Sequence, residues 1–442
     1  MSKGPKLLVA VAAVALVAAA CSSSTKKTTT NGTTASTAPA SSAAPTTSGG
    51  SSSGPVRGVT ATSITVGCVA QLQAFSGMDA GIKARFEREN RAGGVNGRMF
   101  KYLPCRDDNS SGDTNATLGK ELVDKDNVFA VMATGANLLP ATTDYFAAQK
   151  VPFFGWGFSP GYCGGTTGNQ WGFGFGGCLS GIFFPDVKAP VLNGALLEPE
   201  IAQVGKPANQ TSIFTLSSAD DNGKAGLAQY KPLADKLGMK WLGSVDVPVG
   251  GTVTDFSPYV SKALAGNPDI IMVSTDFQTA PGATAALKAA GFKGLIYNYV
   301  AYIPGLLAAS GQEKLAAALE GAYANTQFPP QEGGGDAITQ FVSDLKATGD
   351  PGFVTQGGSI GYWSADLFVQ MVKAVGQNLT PDNFAKVING GFKSTQPSGG
   401  LGALTFPDAH SVPAPCAALV KVVNKAFQVV QPYKCYETFP AK

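Results

Sequence analysis

The chain has 442 residues, with 33 basic and 30 acidic side chains and a single histidine, for a formal net charge of +3. Charged residues make up 14% and hydrophobic residues 44%, so there is no basic stripe for a nucleic-acid backbone, and nucleic acid is excluded as a partner. One histidine and no Cys-x-x-Cys spacing argue against a metal centre, and no cofactor is expected.

Lys3 and Lys6 precede an apolar run over 7–20, which ends in Val17-Ala18-Ala19-Ala20 before Cys21. About fourteen apolar residues cannot span a bilayer core of about 30 Å, which needs about 20. A basic start, a short apolar stretch and small residues read as an export signal. The cysteine makes residues 1–20 resemble a bacterial lipoprotein signal peptide cleaved before Cys21, although Ala18 stands where leucine is commonest. Cys21 is then the lipidation site, and two or more acyl chains would hold the protein at the membrane surface. Plain secretion is the alternative.

Residues 21–55 are Ser, Thr, Ala, Gly and Pro almost throughout, with Lys26 and Lys27 the only charges before Arg57. Such a segment cannot bury enough apolar area to offset its ordering entropy and reads as a disordered tether. The body that follows, about 385 residues, is long enough for two lobes with separate cores. No later run is long and apolar enough for a membrane span, so the chain is not expected to move anything across a membrane by itself.

Strands and helices then alternate. A strand at 64–69 precedes a helix near 76–90. A strand at 99–103 precedes a helix near 116–125, and a strand at 129–133 precedes a helix at 138–149. The strand at 151–155 leads into a glycine-rich loop. A second series runs strand 212–216, helix 223–237, strand 242–247, helix 256–265, strand 270–274, helix 282–290 and strand 295–299. Strands at 418–423 and 426–430 form a hairpin turning at Asn424-Lys425. Alternation of this length predicts an α/β fold with parallel sheets, and the irregular stretch between the two series predicts two lobes.

Six of the seven cysteines follow Cys21, and an exported chain favours disulfides. Cys68 and Cys105 end two strands that are neighbours in a doubly wound sheet. Cys163 and Cys178 bracket the glycine-rich loop, and Cys416 and Cys435 bracket the hairpin. The expected pairs are Cys68–Cys105, Cys163–Cys178 and Cys416–Cys435.

Three stretches carry a family resemblance. Residues 87–108 read as a helix end, a Gly-Gly…Asn-Gly turn and a strand stopping at Asp107-Asp108. Gly321-Ala-Tyr-Ala-Asn-Thr-Gln-Phe-Pro-Pro330 reads as a return strand. Phe341-Val-Ser-Asp-Leu345 is followed by Ser359-Ile-Gly-Tyr-Trp-Ser-Ala-Asp-Leu-Phe368 and Lys373-Ala-Val-Gly376. In this order they resemble extracytoplasmic solute-binding proteins of the leucine/isoleucine/valine-binding type, the substrate-binding lipoproteins of ABC transporters.

The resemblance implies the type I periplasmic binding protein fold: two Rossmann-like lobes with parallel-sheet cores, joined by a three-crossover hinge. The first lobe would comprise 56–184 and 326–397, and the second 185–325 and 398–442. It further implies a monomer, not an enzyme, on the extracytoplasmic face of the cell membrane. Such a protein closes on a small-molecule ligand, an amino acid or a related polar solute, and delivers it to membrane permease subunits.

In open α/β sheets ligands lie beyond the carboxyl ends of the strands. That rule places Phe75 and Ser76 after the first strand, and Asn137 and Leu138 at a helix start suited to a carboxylate. Ser159 stands where amino-acid binders carry a small hydroxyl residue. From the second lobe come Asn222, in place of the usual aromatic, Asp276 as partner for an ammonium group, and Phe277, Tyr299 and Tyr302. Asn137 and Asn222 depart from the family pattern and argue against simple leucine binding.

Other motifs fail on context. Gly172-Phe-Gly-Phe-Gly-Gly177 fits G-x-G-x-x-G but opens no helix. Asp107–Gly112 begins like a calcium loop, yet its twelfth position is Leu118. A ligand-sensing module is the alternative reading, and a secreted hydrolase would have to use His410.

Overall fold

The computed structural model describes residues 55–135, 137–162, 170–179, 191–298, 301–395 and 400–440, without the side chains of Pro160, Asp221, Asn222 and Ala225. The expected signal peptide, Cys21, most of the tether, Cys163 and Tyr299 therefore lie outside the described residues, as does the side chain of Asn222.

The first sheet grows by strand–helix alternation. Its strands are β1 (Ser63–Ala70), β2 (Met99–Asp107), β3 (Ala130–Thr134), β4 (Phe153–Gly155) and β5 (Gly172–Gly174). Between them lie α1 (Met78–Arg91), α2 (Gly112–Asp124) and α3 (Pro140–Ala148). All pairings are parallel, in the order β2-β1-β3-β4-β5. Every residue of β3 is buried, as expected where helices cover both faces. The glycine-rich stretch expected as a loop supplies β5. A Cβ on Gly174 would press on the Gly157 backbone, so only glycine admits this approach.

After β6 (Val191–Asn193) and α4 (Glu198–Val204) comes the second series. Its strands are β7 (Ser212–Ser218), β8 (Lys240–Val247), β9 (Ile270–Ser274), β10 (Leu295–Asn298) and β11 (Tyr323–Thr326). Helices α5 (Asp221–Leu237), α6 (Ser257–Leu264), α7 (Ala280–Ala289) and α8 (Glu313–Leu319) connect them. Three further helices, α9 (Asp336–Ala347), α10 (Gln356–Val375) and α11 (Pro381–Ile388), precede the hairpin β12 (Cys416–Val423) and β13 (Ala426–Cys435). The second sheet has the order β13-β12-β11-β10-β9-β7-β8. The hairpin joins it antiparallel through β11. A short β14 (Thr438–Pro440) pairs with β6.

The chain returns to the first sheet through α10, which lies directly on α1. Glycines make that approach possible. A Cβ on Gly81 would collide with the Gly358 carbonyl, and one on Gly361 with the Met78 carbonyl. A buried ion-pair network spans the same seam: Arg85 Nε bonds Asp366 at 2.6 Å and its guanidinium reaches Glu89 at 3.0 Å. The exposed Lys373 reaches its edge, 2.6 Å from Glu89. The segment before the hairpin also packs on the first sheet, with Phe406 and His410 against the Phe173 ring at 5.2 Å each.

Cys68–Cys105 and Cys416–Cys435 are bonded. Each pair sits in direct register on adjacent strands. Cys178 is buried and disulfide-bonded, while its expected partner Cys163 lies outside the described residues.

The seam sets a stability prediction. Gly81→Ala and Gly361→Ala should each lower the unfolding free energy by about 1–3 kcal/mol or more through overpacking. Exposed Glu87→Ala on the same helix should stay within about 0.5 kcal/mol. Urea unfolding curves of the three variants check this.

Candidate functional site

The carboxyl ends of the two sheets are brought together by side chains that cross between them. Gln229 of α5 donates its amide to the Leu179 carbonyl beyond β5, at 2.7 Å. Trp156, just after β4, packs edge-on against Phe328 at 5.5 Å, and Phe328 meets Tyr302 at 5.9 Å. Strand-end loops of both sheets thus share one aromatic cluster.

On the first sheet, Phe75 is buried and lies 5.9 Å from the Phe158 ring. Ser76 is exposed, and its carbonyl accepts a 2.7 Å bond from Thr355 Oγ1. A groove of about 270 Å³ opens beside it, lined by Leu72, Ser76, Asp79, Lys83, Asp350 and Phe353. Asn137 does not cap α3, as the sequence suggests. Its side chain bonds Asp108, whose carboxyl is raised by burial. The helix starts two residues later, with Leu139 as its uncapped N-cap and Pro140 at the first position, where the fixed φ of proline is already helical. Leu138 is fully buried in the core. Ser159 is 1% exposed and donates its hydroxyl to the Gly135 carbonyl at 2.7 Å.

On the second sheet, Asp220 caps α5 by accepting from Gly223 N at 3.0 Å. Asp276 is a loop builder: one oxygen accepts from Gln278 N and Thr279 N, and the other from Gly250 N at 3.1 Å. Phe277 beside it is 41% exposed. Tyr302 is buried, donates to Glu332 at 3.0 Å and accepts from Gln331 N at 2.8 Å. Burial and then the Glu332 charge push its phenol well above the usual range.

The structure also shows polar groups that sequence reasoning passed over. Among the described residues, Thr134 Oγ1, Trp156 Nε1, Ser217 Oγ and Thr275 Oγ1 are buried without a hydrogen-bond partner. Thr134 ends β3, Trp156 follows β4, Ser217 is next to last in β7, and Thr275 follows β9. All four therefore stand at strand carboxyl ends, two on each sheet, and all are uncharged. Trp156, enclosed in Gly155-Trp-Gly157 directly after a strand, was the one legible in advance.

Two other features belong elsewhere. His410 is held between Phe173 and Phe406, with ring nitrogens 2.9 Å from the Gly172 carbonyl and 2.7 Å from the Asn389 amide. Burial lowers its pKa to about 4, so it is a packed neutral ring tying 408–410 to β5. Glu200 of α4 is fully buried, accepts from Asn325 Nδ2 at 3.1 Å, and its second oxygen is unpartnered. Glu198 and Tyr436 near it also leave buried oxygens unpartnered.

Polar groups left open at the ends of parallel strands are the setting in which open α/β sheets bind small molecules. A sequence profile described as "Periplasmic binding protein" matches residues 65–426. The chain belongs to the periplasmic binding protein family, of the type I, leucine/isoleucine/valine-binding-like kind. Solved structures share the fold. A fatty acid ABC transporter substrate-binding protein from Thermomonospora curvata superposes with a TM-score of 0.66 at 19% identity, covering 86% of this chain and 95% of that one. A branched-chain amino acid ABC transporter periplasmic ligand-binding protein from Burkholderia xenovorans LB400 gives 0.64 at 17% identity, covering 86% and 96%. A solute-binding protein from R. palustris in complex with 4-hydroxybenzoate gives 0.60 at 18%, covering 85% and 97%. No curated protein matches the sequence significantly. Among the described residues no helix is long and apolar enough to cross a membrane.

Glu200 generates a pH prediction. Burial pushes its carboxyl from 4.5 up to about 8, with the Asn325 bond acting the other way. As pH rises through that window the unfolded chain releases the proton while the folded protein keeps it. Stability should therefore fall with rising pH, by up to about 1.4 kcal/mol per unit from this group, and level off above its folded pKa. Glu200→Gln should remove that slope and gain on the wild type between pH 5 and 8. Urea midpoints at pH 5, 6.5 and 8 test it, and parallel curves would contradict the assignment.

Proposed function

We propose that this protein is an extracytoplasmic solute receptor of an ABC importer. It binds one small organic molecule between the carboxyl ends of its two sheets and presents it to membrane permease subunits. The observation that carries this reading is the set of unpartnered groups at Thr134, Trp156, Ser217 and Thr275, divided between both sheets. A buried donor or acceptor left open costs about 1–3 kcal/mol, and a molecule bridging the sheets would recover that cost only when both sides close on it. Such differential affinity is what shifts a hinge equilibrium. The two lobes would be 56–184 with 326–397, and 185–325 with 398–442. Anchoring would be through acylated Cys21 on a 21–55 tether, with the protein acting as a monomer.

An α-amino acid is the solute the sequence resemblance implies, through Asn137, Ser159 and Asp276. Each of these three residues spends at least one polar atom on an internal hydrogen bond, which weakens that choice. Similar structures include a fatty acid transporter's binding protein and one in complex with 4-hydroxybenzoate, so the fold alone does not select one.

Two measurements test the reading. In a thermal-shift panel of small solutes, one present at 100 times its Kd should add about 2.7 kcal/mol of stability, and solution scattering should show compaction with the same solute. No stabilising solute and no compaction would sink the proposal. For the anchor, Cys21→Ala expressed with the native leader should move the protein from the membrane fraction to the soluble fraction.

A further inference from the structure

The glycine-rich stretch after β4 opens no helix, yet it builds one feature at the edge of the first sheet. Gly157 takes a φ of +102° and Gly177 a φ of +69°, a region that favours glycine. A Cβ on Gly157 would collide with the Gly177 carbonyl. The turns that follow β4 and β5 therefore touch backbone to backbone. Leu179 leaves this knuckle with its N–H bonded to the Gly157 carbonyl at 3.1 Å, and its side chain lies against Gly176. Backbone packing on the first sheet thus fixes where the Leu179 carbonyl points.

The donor that meets this carbonyl comes from the second sheet. Gln229 sits midway along α5 and donates Nε2 to Leu179 O at 2.7 Å. Its neighbour Tyr230 is buried in the second core, with its hydroxyl 3.1 Å from that of Tyr297 on β10. Helix α5 is therefore fixed to the second sheet as firmly as Leu179 is to the first. Both ends of the bond belong to rigid bodies.

Other joins between the sheets are of a different kind. Trp156 meets Phe328 in the segment that leaves β11. Val412 and Ala414, which bond Cys178 and Gly176, lie in the segment that enters β12. Connecting segments of this sort can stay attached while the sheets turn. A bond from the middle of a helix on one sheet to a fixed carbonyl on the other cannot, because it has one allowed distance and direction.

We infer that the Gln229–Leu179 bond is a closure latch, which holds α5 against the first sheet in the closed form and breaks on opening. This deepens the receptor reading and rests on it. Gln229 is a positioning residue: it acts on solute affinity through the angle between the sheets and need not touch the solute. On opening, the amide and the carbonyl both recover bonds to water, so the net worth of the latch is small. Its loss should shift the ratio of closed to open protein about two- to tenfold. A latch this weak suits a receptor, because a solute with modest differential affinity for one form outweighs it.

The test uses the full chain as processed by its host, in detergent contrast-matched for neutron scattering, with no solute added. The radius of gyration of the wild type is compared with those of Gln229→Ala and Gln229→Glu, and thermal midpoints report on folding. Both variants should be expanded at neutral pH while their midpoints stay close to the wild type. In Gln229→Glu an ionised carboxylate faces the carbonyl, acceptor against acceptor. Acidification through the ordinary glutamate range, about 4.3, restores a donor, so its radius should return to the wild-type value while Gln229→Ala stays expanded. A merely structural role would not give that recovery. If Gln229→Ala does not fold, Gln229→Glu at the two pH values carries the test. Equal radii at neutral pH overturn the latch, as does equal recovery of Gln229→Ala in acid. Compaction of the wild type by a solute from the thermal-shift panel then leaves the receptor reading standing. Equal radii with no stabilising solute and no compaction overturn both.

Discussion

The contact between α1 and α10 is the constraint on which the first sheet and its candidate site edge depend. α10 lies far after α1 in sequence, yet glycines at 81 and 361 let their backbones touch. Close approach of this kind leaves no room for water, so the polar groups at the seam must satisfy one another. Arg85, Glu89 and Asp366 do so across two helices, with the exposed Lys373 pairing with Glu89 at the outer end. Breaking a buried pair strands a charge and costs far more than the pair itself contributes. The seam thereby fixes where α1 begins, and with it the turn holding Phe75 and Ser76. Thr355, the cap of α10, bonds the Ser76 carbonyl, so the returning helix holds the turn after β1 directly.

Polar groups at the strand ends fall into two kinds. The aspartates at 107, 108, 220 and 276 organise turns and helix starts, work that carboxylates do well because each can accept several N–H bonds. Their commitment makes the loops rigid and removes them as free ligand contacts. Left over are small hydroxyls and one indole, neutral groups whose burial without partners is tolerable only if something else completes them.

A third group of open polar atoms, at Asn193, Glu198, Glu200 and Tyr436, lies around α4 and β11. Asn325 donates to both Glu200 and the Ala195 carbonyl, which ties β11 to the segment entering α4. Because burial favours the neutral acid there, the protonation of Glu200 and the integrity of this junction are linked.

Much of the architecture was legible from hydrophobic period alone. The alternating strands and helices, the hairpin at 416–435, and the pairings Cys68–Cys105 and Cys416–Cys435 follow from local patterns that neighbouring residues enforce on one another. The sheet covered on both faces also follows, since strands such as Ala130–Thr134 carry no polar face. Sequence by itself could not show that 172–174 is a strand, because its glycines are explained only by the Gly157 backbone lying against them. Nor could it show that Asn137, Ser159 and Asp276 bond Asp108, Gly135 and the 250 loop. Whether a side chain is free depends on partners distant in sequence, and only tertiary packing supplies them. For the same reason Trp156 stood in plain view as an aromatic after a strand, while its unpartnered N–H became evident only once the rings of Phe75, Phe158 and Phe328 had closed around it.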